Sequence, residues 1–170
     1  VIIIPAYKPD ERLTTLVDEL LQLQLTEIVV VDDGSGTNFA SLFNRVELSG
    51  CLVIHLDHNA GKGAAIKAGI RHANNHFNGF TGYVTCDADG QHLANDILGV
   101  SKALGKNPHS LILGSRDLSL KNVPLKSRFG NKFSSIYFKL VTGVSCTDTQ
   151  TGLRGIPYSF AEIALGIPED

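Results

Sequence analysis

Short apolar segments alternate with longer amphipathic ones along this chain, and the alternation predicts its fold. Predicted strands, rich in β-branched residues, cover 1–4, 27–31, 51–56, 83–87 and 110–114. Each is almost uniformly apolar, which is typical of central strands covered on both faces. Apolar residues recur at helical spacing in the stretches between and after them, at 11–25, 62–76, 95–105 and 125–142. The β-α-β-α order predicts an α/β fold with a mostly parallel central sheet flanked by helices.

Length and composition narrow the class of protein. The chain has 170 residues, the length of a single domain. It begins inside an apolar strand and ends just after a helix-like stretch, so we expect residues 1–170 to be a fragment of a longer protein. Its net charge of −2 lacks the basic excess of a general nucleic-acid binder, so no nucleic-acid partner is expected. No apolar run reaches the ~20 residues that span a bilayer.

The three cysteines, Cys51, Cys86 and Cys146, are odd in number and outside any CxxC pattern. This usage indicates reduced thiols in a cytosolic compartment rather than a disulfide framework.

Polar motifs follow the predicted strands at the point where each strand ends. They occupy 5–9 (PAYKP), 32–36 (DDGSG), 57–63 (DHNAGKG), 87–89 (DAD) and 114–116 (GSR). In open α/β sheets, ligands bind outside the carboxyl ends of the strands. We therefore expect these motifs to form one site.

Asp87 and Asp89 are the most informative of these residues. In an extended chain, side chains at i and i+2 point the same way about 6.5–7 Å apart. Two such carboxylates repel by ~2 kcal/mol at an effective dielectric constant near 20. Protonation of one acid relieves the repulsion, and so does a bound divalent cation, for which oxygen ligands favour Mg²⁺ or Mn²⁺. A solvated acidic turn is the alternative.

The other motifs also have two interpretations. Asp32 and Asp33 precede a glycine, as in a common turn, but a carboxylate there can also accept hydrogen bonds from a nucleobase and a ribose. Tyr7, just past the first strand, offers a stacking face for that base. Residues 61–63 form a glycine turn with Lys62 at a predicted helix start, a place that favours anions. This stretch lacks the third glycine of a dinucleotide fingerprint and is not a Walker loop.

The last third of the chain adds cations and one acid. Arg116 follows a strand end directly, and arginine suits bidentate phosphate contacts. Charges on the predicted 125–142 helix, including Arg128, also fit a solvated face. His55 and His58 lie across a strand end and would not share a face, so no zinc site is expected there.

Taken in order, the motifs resemble family 2 glycosyltransferases of the GT-A fold. The resemblance rests on 4–7 (IPAY), 31–35 (VDDGS), 59–65 (NAGKGAA), 87–92 (DADGQH) and 114–116 (GSR). Two further segments, 127–131 (SRFGN) and 148–155 (DTQTGLRG), look like the polyprenyl-phosphate branch of that family. That branch contains the dolichyl-phosphate mannose synthases and the bacterial undecaprenyl-phosphate glucosyltransferases.

The resemblance implies a GT-A nucleotide-diphospho-sugar transferase fold and an inverting hexosyltransferase of the EC 2.4.1 type. The expected donor is of the UDP-glucose or GDP-mannose type, the expected acceptor is a polyprenyl phosphate, and the expected cofactor is Mg²⁺ or Mn²⁺. Relatives continue into helices that bind the membrane, so we expect a catalytic domain at the cytoplasmic face of a membrane. A hydroxyl acceptor on a cell-surface polysaccharide and a non-catalytic nucleotide-sugar binding module remain alternatives.

The resemblance also implies roles for individual residues. The nucleotide-sugar pocket would be formed by Pro5, Ala6, Tyr7, Pro9, Val30, Asp32, Asp33, Lys62, Asp87, Ala88, Asp89 and Arg116. The metal would be held by Asp87, Asp89 and Gln91, and the acceptor phosphate by Arg116 and Arg128. Asp148 would face the reacting sugar and act with Asp89 in catalysis, whereas His92 has no assigned role.

This chain departs from the family pattern at three positions. Lys8 and Pro9 stand where an Asn-Glu pair is common, and Lys132 replaces a serine of the acceptor clamp.

Overall fold

The secondary structure follows the predicted alternation closely in the part of the chain that the computed structural model describes, residues 1–115 and 151–167. The strands are β1 (Ile2–Ala6), β2 (Ile28–Asp32), β3 (Leu52–His55), β4 (Gly82–Thr85), β5 (Ile112–Leu113) and β6 (Arg154–Pro157). The α-helices are α1 (Glu11–Gln22), α2 (Ala40–Leu48), α3 (Lys62–His76), α4 (Ala94–Lys106) and α5 (Tyr158–Gly166). A short 3₁₀ helix, Thr37–Phe39, precedes α2.

The described strands form one six-stranded sheet in the order β3-β2-β1-β4-β6-β5. Strands β1 to β4 are parallel, whereas β6 runs antiparallel to both β4 and β5. The predicted α/β fold with a mostly parallel sheet is confirmed. The register pairs Ala6 with Asp32 and Asp32 with His55, so three strand ends lie side by side at one edge.

Helices cover both faces of the sheet, and this explains why the central strands are apolar throughout. Ile2 and Ile4 of β1 share a core cluster with residues of α1, α2 and α4. Ile3, which points to the opposite face, shares a second cluster with residues of α3 and α5. All three isoleucines are at most 3% exposed. A strand with two covered faces has no polar side to display.

Helix α3 packs close to the sheet at Gly69. A Cβ added at Gly69 would lie 2.7 Å from Ile3 Cγ2 and 3.1 Å from Val31 Cγ2. Only a glycine leaves room for these two side chains, so the middle of α3 packs directly against β1 and β2.

Three features differ from the sequence predictions. Strands β3 and β5 lie at the two edges of the described sheet, so the central position predicted for each is wrong. In β3, Leu52 and Val53 are half-buried and His55 is exposed. Helix α2 was not predicted, because its nine residues bury only Leu42, Phe43 and Val46. The antiparallel β6 was also missed, since its sequence (RGIP) contains an arginine, a glycine and a proline.

The predicted helix 125–142 lies outside the described residues. Among the described helices, none has the length and hydropathy needed to cross a membrane.

Candidate functional site

Two adjoining clefts open at the carboxyl ends of the parallel strands. One, of about 240 Å³, is lined by Pro5, Ala6, Tyr7, Asp33, Asn59, Gly61, Lys62 and Asp87. The other, of about 280 Å³, is lined by Pro5, Tyr7, Lys8, Pro9, Asp10, Arg12, Asp87, Ala88 and Asp89. They share Pro5, Tyr7 and Asp87, and we call them together the strand-end cleft. The predicted gathering of motifs 5–9, 57–63 and 87–89 at one sheet edge is what the structure shows.

The segment after β1 presents an aromatic ring to both halves of this cleft. Tyr7 is 48% exposed, and the Lys8 ammonium lies 5.0 Å from the centre of its ring. Lys8 has a φ of 49°, and its backbone N–H donates to Ser35 Oγ at 2.8 Å. That hydrogen bond ties the loop after β1 to the loop after β2, so the Tyr7 ring is presented by an anchored backbone.

The two acids at the carboxyl end of β2, Asp32 and Asp33, are buried and hydrogen-bonded to partners within the protein. Asp32 is 6% exposed and Asp33 is 4% exposed. Asp32 Oδ1 accepts from the Ser35 N–H at 2.8 Å, and Asp32 Oδ2 lies 2.9 Å from His55 Nδ1. Asp32 faces a third cleft, of about 300 Å³, which His55 and Asp57 also line. The two acids are thus divided between separate clefts, because neighbouring side chains point to opposite faces.

Asp33 organises the loop that leads into α3. Its Oδ1 accepts from the Ala60 N–H at 2.8 Å and its Oδ2 accepts from the Gly61 N–H at 3.1 Å. Gly34 lets this loop come close: its φ is +69°, and an added Cβ would lie 2.4 Å from the backbone carbonyl carbon of His58. The DDG turn therefore positions Lys62, the first residue of α3, over the strand-end cleft.

Asp87, just beyond β4, stands between two nitrogen-bearing side chains. The Lys62 ammonium donates a hydrogen bond to Asp87 Oδ1. His92 Nε2 lies 3.6 Å from Asp87 Oδ2, which is longer than a hydrogen bond. The His92 imidazole and the Lys62 ammonium lower the pKa of Asp87 to about 2, although partial burial opposes them. Asp87 is therefore a carboxylate at neutral pH.

Asp89 and Gln91 form a tight acidic turn two residues further on. Asp89 accepts from the backbone N–H of Gln91 at 3.0 Å and from its side-chain Nε2 at 2.6 Å. Asp89 lines the same cleft as Asp87. Two carboxylates and an amide oxygen are a donor set that suits Mg²⁺ or Mn²⁺.

A cation at this turn would need more ligands than the acids supply. Within residues 1–115 and 151–167, no group of three or more His, Cys, Asp or Glu side chains is arranged to hold a metal ion. The fit of these residues therefore depends on Gln91, on water and on ligand phosphate oxygens, which Mg²⁺ commonly uses.

Two residues predicted for the nucleotide-sugar pocket do not line the strand-end cleft: Asp32 lines the third cleft, and Val30 lies in the core. Val30 is completely buried in the middle of β2, in the core layer that contains α1, α2 and α4. It precedes the strand end by two residues, so its side chain meets the core and not the cleft, and the expectation that it lines the pocket is corrected. Arg116, Arg128 and Asp148 lie outside the described residues.

The structure adds residues that the motifs did not indicate. Asp10 and Arg12 line the cleft because α1 begins there, with the Asp10 side chain accepting from the Arg12 N–H as the N-terminal cap. Gly152 lies against Asp87, since a Cβ at Gly152 would fall 2.2 Å from Asp87 Oδ2. The antiparallel pairing of β6 with β4 brings Gly152 there, and Thr85 Oγ1 donates to its carbonyl at 3.2 Å. Only tertiary contacts reveal this neighbour, because 65 residues separate the two positions.

A largely parallel sheet with a polar cleft at its strand ends defines an α/β domain built to bind a ligand at that edge. Residues 1–159 match the family described as glycosyl transferase family 2, and the chain belongs to this family. The resemblance that the motifs indicated is confirmed.

Several curated proteins are similar to this chain over most of its length. A UDP-N-acetylglucosamine–dolichyl-phosphate N-acetylglucosaminyltransferase from Methanococcus voltae is 30% identical, over 98% of this chain and 70% of the relative. An uncharacterized protein from Methanocaldococcus jannaschii is 31% identical, over 97% of this chain and 67% of the relative. A polyprenol monophosphomannose synthase from Mycolicibacterium smegmatis is 29% identical, over 90% of this chain and 59% of the relative.

Proposed function

We propose that this chain transfers a hexose from a nucleoside-diphosphate sugar to a polyprenyl phosphate with inversion at the anomeric carbon. The observation that carries the proposal is that Tyr7, Lys62 and the acids Asp87 and Asp89 line one strand-end cleft. In a complex with such a donor, the Tyr7 ring would stack on the base, Lys62 would contact the phosphates, and the paired carboxylates would bind the metal. The Methanococcus voltae relative is named for a UDP-sugar and dolichyl phosphate, and the Mycolicibacterium smegmatis relative for polyprenol monophosphomannose, which supports a polyprenyl-phosphate acceptor. We propose a donor of the UDP-glucose or GDP-mannose type.

The chemical step needs an oriented nucleophile more than a strong base. An acceptor phosphate oxygen attacks the anomeric carbon from the face opposite the leaving diphosphate. The new C–O bond forms as the bond to the donor phosphate breaks, and the nucleoside diphosphate leaves with that electron pair. A phosphate monoester has a second pKa of about 6, so the acceptor is mostly a dianion at pH 7. Asp148 is therefore proposed to orient the reactants, with Arg116 and Arg128 as phosphate contacts.

Asp87, Asp89 and Gln91 are the residues proposed to hold Mg²⁺ or Mn²⁺. When bound, such an ion supplies positive charge for the leaving diphosphate. Lys62, which also lines this cleft, donates to Asp87 and adds a second positive charge there. We further propose that the domain works at the cytoplasmic face of a membrane, where a polyprenyl phosphate presents its head group.

A substitution at Asp89 tests the proposal. We expect Asp89→Asn to lower sugar transfer by about 100-fold or more, on the order of the loss from removing one preorganised group that stabilises transition-state charge. The assay follows radiolabelled sugar from a panel of UDP- and GDP-sugars into a short-chain polyprenyl phosphate, with and without Mn²⁺.

Asp18→Asn is the matched control, since Asp18 is an exposed acid on α1 outside the residues that line the cleft. It should transfer sugar like the unmodified chain. Full activity of Asp89→Asn would overturn the role of this acid, and transfer to hydroxyl acceptors alone would overturn the polyprenyl-phosphate acceptor.

A further inference from the structure

His92 is an anomaly at the edge of the strand-end cleft. Its side chain is only 10% exposed. Its Nε2 atom is buried and makes no hydrogen bond within the described part of the chain. A buried polar nitrogen without a partner destabilises the fold, so its position calls for an explanation.

The atom that Nε2 faces is a carboxylate oxygen. Asp87 Oδ2 lies 3.6 Å away. A lone pair on Nε2 would repel that oxygen, whereas an N–H would be attracted to it. The proton is therefore assigned to Nε2, which makes His92 a hydrogen-bond donor slightly too far from its acceptor.

Asp87 is enclosed from three directions. Lys62 draws Oδ1 toward the cleft, His92 stands beside Oδ2, and the backbone of Gly152 closes the remaining side, where a Cβ would lie 2.2 Å from Oδ2. Oδ2 thus faces the protein and Oδ1 faces the ligand side of the cleft. A carboxylate held this way can accept hydrogen bonds from the protein through Oδ2 and bind a ligand in the cleft through Oδ1.

We propose that His92 is a positioning residue for Asp87. Its Nε2–H closes on Oδ2 and holds the carboxylate with Oδ1 directed into the strand-end cleft, where Oδ1 ligates the divalent cation in place of its contact with Lys62. Hydrogen bonds behind metal ligands orient them and increase their basicity. This inference rests on the proposed metal role of Asp87 and Asp89, and it gives His92 a function that depends on Nε2 alone.

Three substitutions separate this role from that of an ordinary core histidine. In His92→Gln the amide Nε2 replaces the ring Nε2, so the donor to Asp87 is retained. In His92→Asn the amide reaches only the position of Nδ1, and in His92→Leu no donor remains. Circular dichroism and thermal unfolding establish that each variant of the 170-residue chain is folded, and the Gln–Asn pair decides the question even if His92→Leu fails to fold.

The measurement is Mn²⁺ binding without donor, followed by the electron paramagnetic resonance signal of free Mn²⁺. We expect His92→Leu and His92→Asn to raise the dissociation constant about 10- to 100-fold, the usual cost of losing such a supporting hydrogen bond. His92→Gln should bind Mn²⁺ nearly as tightly as the unmodified chain. Asp89→Asn, measured in parallel, reports the loss of a direct ligand.

The outcomes are distinguishable. Equal Mn²⁺ binding by His92→Asn and His92→Gln would overturn the inference while leaving the proposed function intact. An unmodified chain that transfers sugar but binds no Mn²⁺ would overturn both the metal role and the inference. An unmodified chain that binds Mn²⁺ but transfers no sugar, with the His92 variants behaving as expected, would overturn the proposed transferase activity and support the positioning role.

Discussion

Replacing Gly152 with alanine tests the position of the Asp87 carboxylate almost independently of the fold. The added Cβ would lie 2.2 Å from Asp87 Oδ2 and 2.7 Å from both Cγ and Oδ1. These atoms are the end of a side chain, so Asp87 can turn away while the backbone stays. Gly152 has no left-handed φ that alanine would find strained.

The required movement sets the size of the effect. Ordinary van der Waals contact begins at 3.4 Å, so the carboxylate must shift by roughly 1 Å, a displacement that can cost about 100-fold in rate at a catalytic site. The half-exposed ion pair between Asp87 and Lys62 contributes about 0–1 kcal/mol to stability. Losing it is offset by the ~0.4–1 kcal/mol that alanine gains over glycine by restricting the unfolded chain.

The assay compares sugar transfer with urea unfolding in the same preparations. Gly152→Ala should lose about 100-fold in transfer with a change of less than about 1 kcal/mol in the free energy of unfolding. Gly99→Ala in α4 is the matched control, since its added Cβ would contact nothing within 4 Å. It should retain full transfer and gain about 0.5–1 kcal/mol. Normal transfer by Gly152→Ala would refute the claim that the site depends on where Asp87 lies.

Two further predictions concern the walls of the site and the core. Asp33→Ala removes the acceptor for the Ala60 and Gly61 N–H groups and should destabilise the fold by about 1.5–3 kcal/mol in urea unfolding, the range for hydrogen bonds to a charged group; an unchanged unfolding midpoint would contradict this. Burial raises the pKa of the Cys51 thiol to about 11 and that of Cys86 further, so iodoacetamide at pH 8 should leave both unmodified in the native chain and alkylate both in urea. Peptide mass spectrometry separates the two thiols, and native labelling of Cys86 would refute its burial.

Much of the fold was predictable because hydrophobic periodicity reports burial directly. The uniform apolar character of β1, β2 and β4 marked strands with two covered faces, and the order of elements implied parallel pairing. Hydrophobic periodicity did not predict the edge position of β3, because an apolar strand has the same sequence pattern whether it pairs with one strand or two. It also failed for β6, whose position depends on pairing with β4 across the sheet.

The candidate site, like the fold, was predictable from the sequence only in part. The sequence by itself determined the chemistry at each strand end: local motifs indicate Tyr7, Lys62, Asp87 and Asp89, and parallel pairing is enough to bring them to one edge of the sheet. Tertiary structure decided which way these side chains point and which neighbours they contact. The Val30 side chain points into the core, and Asp33 accepts hydrogen bonds from the loop before α3. His92 and Gly152 lie beside the Asp87 carboxylate. Local sequence encodes which groups a strand carries, but which oxygen of a carboxylate meets a ligand depends on neighbours that only the packed chain brings together.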